Sequence, residues 1–182
     1  RCVVTKREAY GERTFESRKF PVMLKNGKTG IGGFVRDVTE SLVTEKKLYE
    51  NEAKFRSVFN NSPVGMAILD KEISMLETNH ALQRITGYTN EELCASDWQM
   101  RTHQDDYEIT RIFLEEISKE EKEAYHIEKR YLTKDKKTVW VSITVSSVRD
   151  HDGNLIHYIG IFENITERKI SEIELVKLRE SV

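Results

Sequence analysis

Two stretches of this chain, one near each end, are versions of each other. Gly33-Phe34-Val35-Arg36-Asp37-Val38-Thr39-Glu40 and Gly160-Ile161-Phe162-Glu163-Asn164-Ile165-Thr166-Glu167 each run from apolar residues to Asp or Asn, a branched aliphatic, Thr and Glu. Each then leads into a polar, helix-like segment. They lie about one domain's length apart, and self-similarity at that offset implies an array of similar modules.

The chain has 182 residues, enough for one ordinary domain and part of another. Charged residues make up 33% and hydrophobic ones 38%, a balance that suits a globular fold with exposed helices. A net charge of −2 gives no basis for nucleic acid or an anionic membrane as partner. No apolar run approaches the roughly 20 residues that cross a bilayer, so membrane insertion is not expected. Cys2 and Cys94 sit in no metal-ligand spacing and read as free thiols of a reducing compartment. The first residue, Arg1, implies a piece cut from a longer protein.

Residues 1–38 read as β: an extended run from Glu12 to Leu24, a tight turn at Asn26-Gly27 and a return run from Lys28 to Val38. Pro21 lacks a backbone donor and belongs at an edge or a bulge. Three strands at most cannot enclose a core, so this segment is an incomplete domain. Residues 39–60 read as a helical linker, with Asp37 as N-cap and Glu40 at capping-box spacing. Leu48, Phe55 and Phe59 form a narrow apolar stripe on it, with Glu50–Lys54 and Glu52–Arg56 as supporting pairs. The stripe fits either packing on its own domain or pairing with a second copy.

Residues 61–166 give a complete α+β pattern. Val64–Leu69 and Ile73–Thr78 flank a turn. Asn79 opens a helix that Gly87 ends, and Thr89 with Glu92 forms a capping box. A helix from about Asp105 to Glu120 follows, then three longer strands. In the middle strand Val139, Val141, Ile143 and Val145 face one way, and Trp140, Ser142, Thr144 and Ser146 the other. Residues 167–182 form a second polar helix carrying Leu175 and Leu178. The order predicts an antiparallel sheet with helices on one face. Residues 1–38 repeat only its last three strands, Cys2–Arg7 matching Tyr125–Leu132.

The ordered set Phe55-Arg56-Ser57-Val58-Phe59, Ser62-Pro63-Val64-Gly65, Asn79-His80-Ala81, Thr86-Gly87-Tyr88, His103-x-Asp105-Asp106, Thr133-Lys134-Asp135, Val139-Trp140-Val141 and Asn164-Ile165-Thr166-Glu167 resembles a PAS sensory domain with its C-terminal PAC segment. The resemblance covers about residues 53–169, and residues 1–38 resemble the end of a preceding PAS domain. It implies a five-stranded antiparallel sheet and a non-catalytic sensory or relay module of a prokaryotic signalling protein, such as a histidine kinase of a two-component system or a diguanylate cyclase. It also implies a homodimer in the cytoplasm or in the cytoplasmic part of a membrane-anchored receptor, with an output domain beyond Val182. The repeated motif resembles the family's exit motif, which makes Asp37, Thr39, Glu40, Asn164, Thr166 and Glu167 the candidate signal-coupling residues. Leu48, Phe55, Trp140, Leu175 and Leu178 are the candidate interface residues.

Some members of the family hold a flavin, a haem or a small metabolite between sheet and helices. The flavin photosensors use a reactive Cys, whose place here is Asp97, and amide side chains on the last three strands, whose places are Tyr131, Val141 and Phe162. Haem needs a His on the long helix, and Gln104–Glu120 has none; His80 and His103 lie elsewhere. No bound cofactor is therefore expected, with haem, flavin or a small metabolite as the alternatives. Met66, Ile68, Trp98, Tyr107, Tyr131, Val141, Ile143 and Phe162 are the candidate cleft residues. His103, Asp105 and Asp106 suggest a metal or acid–base site only superficially, since Asp is favoured at helix starts. No phosphate loop, nucleophile elbow or metal spacing points to an enzyme. A pure interaction module using the Trp140 face is the other alternative.

Overall fold

The computed structural model describes residues 4–119 and 122–180. Cys2 lies outside them, and Cys94 is a free, half-buried thiol. The chain divides after Arg56 into two compact units.

The first unit is an antiparallel meander of β1 (Val4–Tyr10), β2 (Arg13–Met23) and β3 (Thr29–Asp37), followed by α1 (Thr39–Asn61), which runs into the second. Gly11, at φ 62°, makes the first turn, so β1 runs past Arg7 to Tyr10. Gly27, at φ 77°, makes the second, with Asn26 Oδ1 accepting the Lys28 N–H at 3.1 Å. Pro21 sits in the central strand, opposite Ile31. It is therefore neither at an edge strand nor at a bulge of that pairing, against the expectation from its missing donor. Among the described residues up to Arg56, none is a buried hydrophobic: Ile31 is 81% exposed, Met23 79% and Phe34 53%.

The second unit holds a five-stranded antiparallel sheet in the order β5-β4-β8-β7-β6. Its strands are β4 (Gly65–Leu69), β5 (Met75–Thr78), β6 (Ala124–Leu132), β7 (Thr138–Arg149) and β8 (Leu155–Asn164). Between β5 and β6 run α2 (His80–Thr86), α3 (Asn90–Ala95), α4 (Trp98–Arg101), a 3-10 turn at Gln104–Asp106 and α5 (Tyr107–Ser118); α6 (Thr166–Glu180) follows β8. The Thr89–Glu92 capping box is present, and Gly87 closes α2 at φ 77°. The short helix α4, capped by Asp97, adds to the expected set. The core cluster joins Ala67, Leu82, Leu93, Ile117, Val141 and Tyr158, all in this unit. Among the described residues no helix is long and apolar enough to cross a membrane.

Asn79 is fully buried and ties this unit together. Its Oδ1 accepts the Leu82 and Met66 N–H groups at 3.0 and 2.9 Å, while its Nδ2 donates to the Phe59 and Val64 carbonyls at 2.8 and 2.9 Å. The end of α1, β4 and α2 therefore meet on one satisfied amide, which the sequence marked only as a helix cap.

Candidate functional site

The two motif copies fold into the same joint. At the first, Asp37 Oδ1 accepts the N–H of Thr39 at 3.0 Å and its hydroxyl at 2.6 Å. The Thr39 Oγ1 accepts the Thr14 N–H of β2 at 2.8 Å, and the Val38 N–H donates to the Thr14 carbonyl at 2.9 Å. At the second, Asn164 Oδ1 accepts the N–H of Thr166 at 3.0 Å and its hydroxyl at 2.6 Å. The Thr166 Oγ1 accepts the Trp140 N–H of β7 at 2.9 Å, and the Ile165 N–H donates to the Trp140 carbonyl at 2.9 Å.

In each case one side-chain oxygen caps the helix start and one threonine hydroxyl stitches that start to the neighbouring strand. The capping box expected with Glu40 is replaced by these threonine bonds. Glu40 and Glu167 stand in the first turns, where the helix N-terminus favours negative charge.

What surrounds the joints differs. At the second, Glu128 on β6 pairs with Arg168 and, at 2.7 Å, with Lys169 on α6. The Lys169 hydrogen bond, then that of Arg168, holds the Glu128 carboxyl below its ordinary range despite slight burial. By register, Arg7 takes the place of Glu128 in the first unit, and Ser41 and Leu42 those of Arg168 and Lys169. Arg7 pairs instead with Glu16 at 3.1 Å. Asp37 has a charge that Asn164 lacks, and Arg13 reaches it only at 3.9 Å in solvent.

Trp140 faces away from the core, as its alternation implies, and is half-buried against its own chain. The Arg130 guanidinium and Lys169 Nζ both stand over its ring, 5.4 and 5.5 Å from the centroid. Arg130 is fixed in turn by Asp106, whose carboxylate accepts its Nε at 3.0 Å, its Nη2 at 2.6 Å and its backbone N–H at 2.7 Å. Burial pushes the Asp106 carboxyl up, but these bonds and the Arg130 charge outweigh it and hold the group below its usual range. His103 accepts the Asp105 N–H at 3.3 Å as a cap. Among the described residues no cluster of His, Cys, Asp or Glu is arranged to hold a metal.

The cleft between sheet and helices gathers Trp98, Tyr131, Ile143 and Phe162. Val141 is buried in the same core. Tyr107 packs edge-on to Trp98 at 5.8 Å and donates its hydroxyl to the Gln99 carbonyl at 3.2 Å, on the outside. Met66 and Ile68 are corrected: Ala67 and Leu69 point into the core, so Met66 and Ile68 lie on the opposite sheet face.

Phe162 closes the inner cleft. Its ring lies over Gly160, where an added Cβ would come within 2.8 Å of it, and 6.3 Å from the Tyr131 ring. The space left inside is about 50 Å³, too small for a flavin ring system or a haem. Asp97 caps α4 through the Trp98 N–H at 2.8 Å, and burial pushes the Cys94 thiol up, so neither supplies a reactive thiolate. Neither cofactor fits these residues.

Two cations stand at the cleft that the sequence did not single out. Lys129, 3% exposed, points inward from β6 with Tyr125, Ile127 and Tyr131. It donates to Thr102 Oγ1 at 3.0 Å and to Thr110 Oγ1 at 3.2 Å. Burial, reinforced by the Arg101 charge and opposed by Asp106, lowers its ammonium to about 7. Arg101, 5% exposed, donates through Nη1 to the Leu93 carbonyl at 2.6 Å and to Ser96 Oγ at 2.8 Å, while its buried Nε has no partner.

Residues 75–162 match the family model of the PAS fold. A probable diguanylate cyclase of Escherichia coli (DgcE) is 35% identical over 127 residues, covering 70% of this chain and 12% of that protein. A sensor histidine kinase of Ectopseudomonas mendocina (TmoS) is 28% identical over 135 residues, covering 74% of this chain and 14% of that one. The chain thus spans a small part of these curated relatives. Among solved structures, the PAS domain of an HTR-like protein from Haloarcula marismortui matches at 23% identity and TM-score 0.56, covering 67% of this chain and 98% of that one. An RNA-binding light-oxygen-voltage receptor matches at 12% identity and TM-score 0.60 over 98% of this chain and 82% of that one, which shows shared fold. The matched sequence and the five-stranded sheet agree, and this chain belongs to the PAS family of sensory domains found in signalling proteins.

Proposed function

We propose that the second unit is a non-catalytic relay: a change in its sheet passes through the Asn164–Thr166 joint to α6 and so to an output domain. The carrying observation is the joint itself. One hydroxyl bonds the last helix to β7, so a shift of that strand is imposed on the helix start. Its repetition at Asp37–Thr39 supports a serial array, in which residues 1–38 close a preceding PAS module and α1 links the two. A contiguous set of contacts, from Asp106 through Arg130 and Trp140 to Lys169, offers a route from the helices over the cleft to α6.

The relatives, a probable diguanylate cyclase and a sensor histidine kinase, support a module within a kinase or cyclase. Leu175 and Leu178 on α6 and Leu48 and Phe55 on α1 are exposed apolar residues suited to pairing two copies. Light scattering across a concentration series tests this. The expected dimer dissociates when Leu175 and Leu178 are both changed to Ser, and a concentration-independent monomer in the unaltered chain overturns it.

A further inference from the structure

We propose that the PAS cleft is a binding site for a small monocarboxylate, held by its carboxylate between Arg101 and Lys129. This goes beyond the relay above, which does not depend on it, and would supply its stimulus. Both cations are almost wholly buried, and among the described residues neither is paired with a carboxylate: Asp106, the nearest to Lys129, is engaged by Arg130. Buried charge without a counter-ion is costly, so an anion between the two is favoured, and with it the protonated form of Lys129.

The hydrogen bonds leave donors free in the right place. Thr102 and Thr110 give their own hydroxyl protons to the Trp98 and Asp106 carbonyls at 2.8 and 2.7 Å, so each can only accept from Lys129. They take two of its three N–H donors. The guanidinium of Arg101 is fixed by Leu93 and Ser96 and keeps its Nε–H spare. Arg101 lines both the inner space of about 50 Å³, where Lys129 also lies, and an outer cleft of about 540 Å³ that reaches solvent. The inner space matches one carboxylate group, and the outer one admits its body.

The walls decide the class. Ile73, Met75, Trp98 and Leu114 line the outer cleft together with Ser74, Ser96 and Ser118, so its walls are mixed and suit a small body with both apolar and polar parts. Glu72 and Asp97, both exposed, line it as well and oppose a second negative charge. That favours a monocarboxylate over a dicarboxylate or a phosphate. A bound carboxylate also favours the protonated amine, so binding above neutral pH takes up a proton at Lys129.

The test compares sodium propionate and sodium benzoate with sodium chloride and sodium phosphate at equal ionic strength, using the 182-residue chain. Either carboxylate is expected to raise Tm by roughly 5 °C at a hundredfold excess over its Kd. Titration calorimetry at pH 8, in buffers of different ionisation heat, is expected to show uptake approaching one proton per ligand. Lys129→Met removes a buried charge, so it should fold at least as well while losing both signals. If that variant does not fold, proton uptake by the unaltered chain decides. No Tm shift with either carboxylate, an equal shift in Lys129→Met, an equal shift with phosphate, or binding without proton uptake would each overturn the proposal.

Discussion

The two sheets end in the same joint but differ in everything that gives a sheet stability. The hydrogen bonds at Asp37–Thr39 and Asn164–Thr166 agree within 0.1 Å. Yet β1–β3 bury no hydrophobic side chain among the described residues, whereas β4–β8 and the helices packed on them carry the core cluster. The joint is therefore a local device. In both places Asp or Asn, one intervening residue and Thr build it against a neighbouring strand, with or without a core beneath. The packing beneath it decides whether a moving strand is backed by a rigid body. The Glu128 clamp onto Arg168 and Lys169 reinforces only the joint that has such a body.

The largest expected difference between the two regions lies in their apolar side chains. Phe162→Ala should cost about 3–5 kcal/mol of unfolding free energy, and Phe34→Ala well under 1 kcal/mol, measured by urea denaturation of the dilute chain. Equal costs would mean that the first sheet has a core of its own.

Next is the buried ammonium, which has no counterpart in the first unit. Unfolded, Lys129 titrates near 10.5, and folded at about 7. The unfolded chain thus binds more protons between those values, and stability rises with pH across that window. The penalty is fully present below pH 7, on the order of 5 kcal/mol, and is relieved toward pH 10. Lys129→Met should accordingly stabilise the domain by about 2 kcal/mol or more at pH 6, with a gain that shrinks toward pH 10. A gain independent of pH would show that Lys129 keeps its ordinary pKa in the fold and stays protonated across that range.

Glu128→Gln should cost about 1 kcal/mol, felt mainly as fraying of α6, because both partners are partly exposed. Arg7→Gln at the matching place should change nothing in α1. The smallest effect is exchange of the caps. Asp37→Asn and Asn164→Asp should each move stability by less than about 0.5 kcal/mol, since both residues cap equally well. A larger loss in either would mean that the cap charge itself matters.

Strand alternation made much of this legible. Val139 to Val145 declared which face of β7 is inward, and the Asn-Gly and Asp-Gly turns set the hairpins. Met66 and Ile68 were misplaced because both faces of β4 are apolar, so a period of two could not choose between Met66/Ile68 and Ala67/Leu69. Lys129 was hidden in the run Glu128-Lys129-Arg130, which reads as solvated charge. The inward parity of Tyr125, Ile127 and Tyr131 would have placed it in the core. Arg101 gave no such signal, because the four residues of α4 are too few to show a face. The joint was recognisable as a repeat, but its threonine stitch to the neighbouring strand depends on a long-range pairing.

Hydrogen exchange of the Thr166→Ala chain tests the central claim most directly. That change removes the hydroxyl joining Asn164, the start of α6 and β7. The account predicts that amides in the first turns of α6 exchange about 5- to 10-fold faster while those of β7 and β8 hold their protection. Unchanged exchange in α6, or equal loss of protection throughout the sheet, would contradict a joint that couples strand to helix.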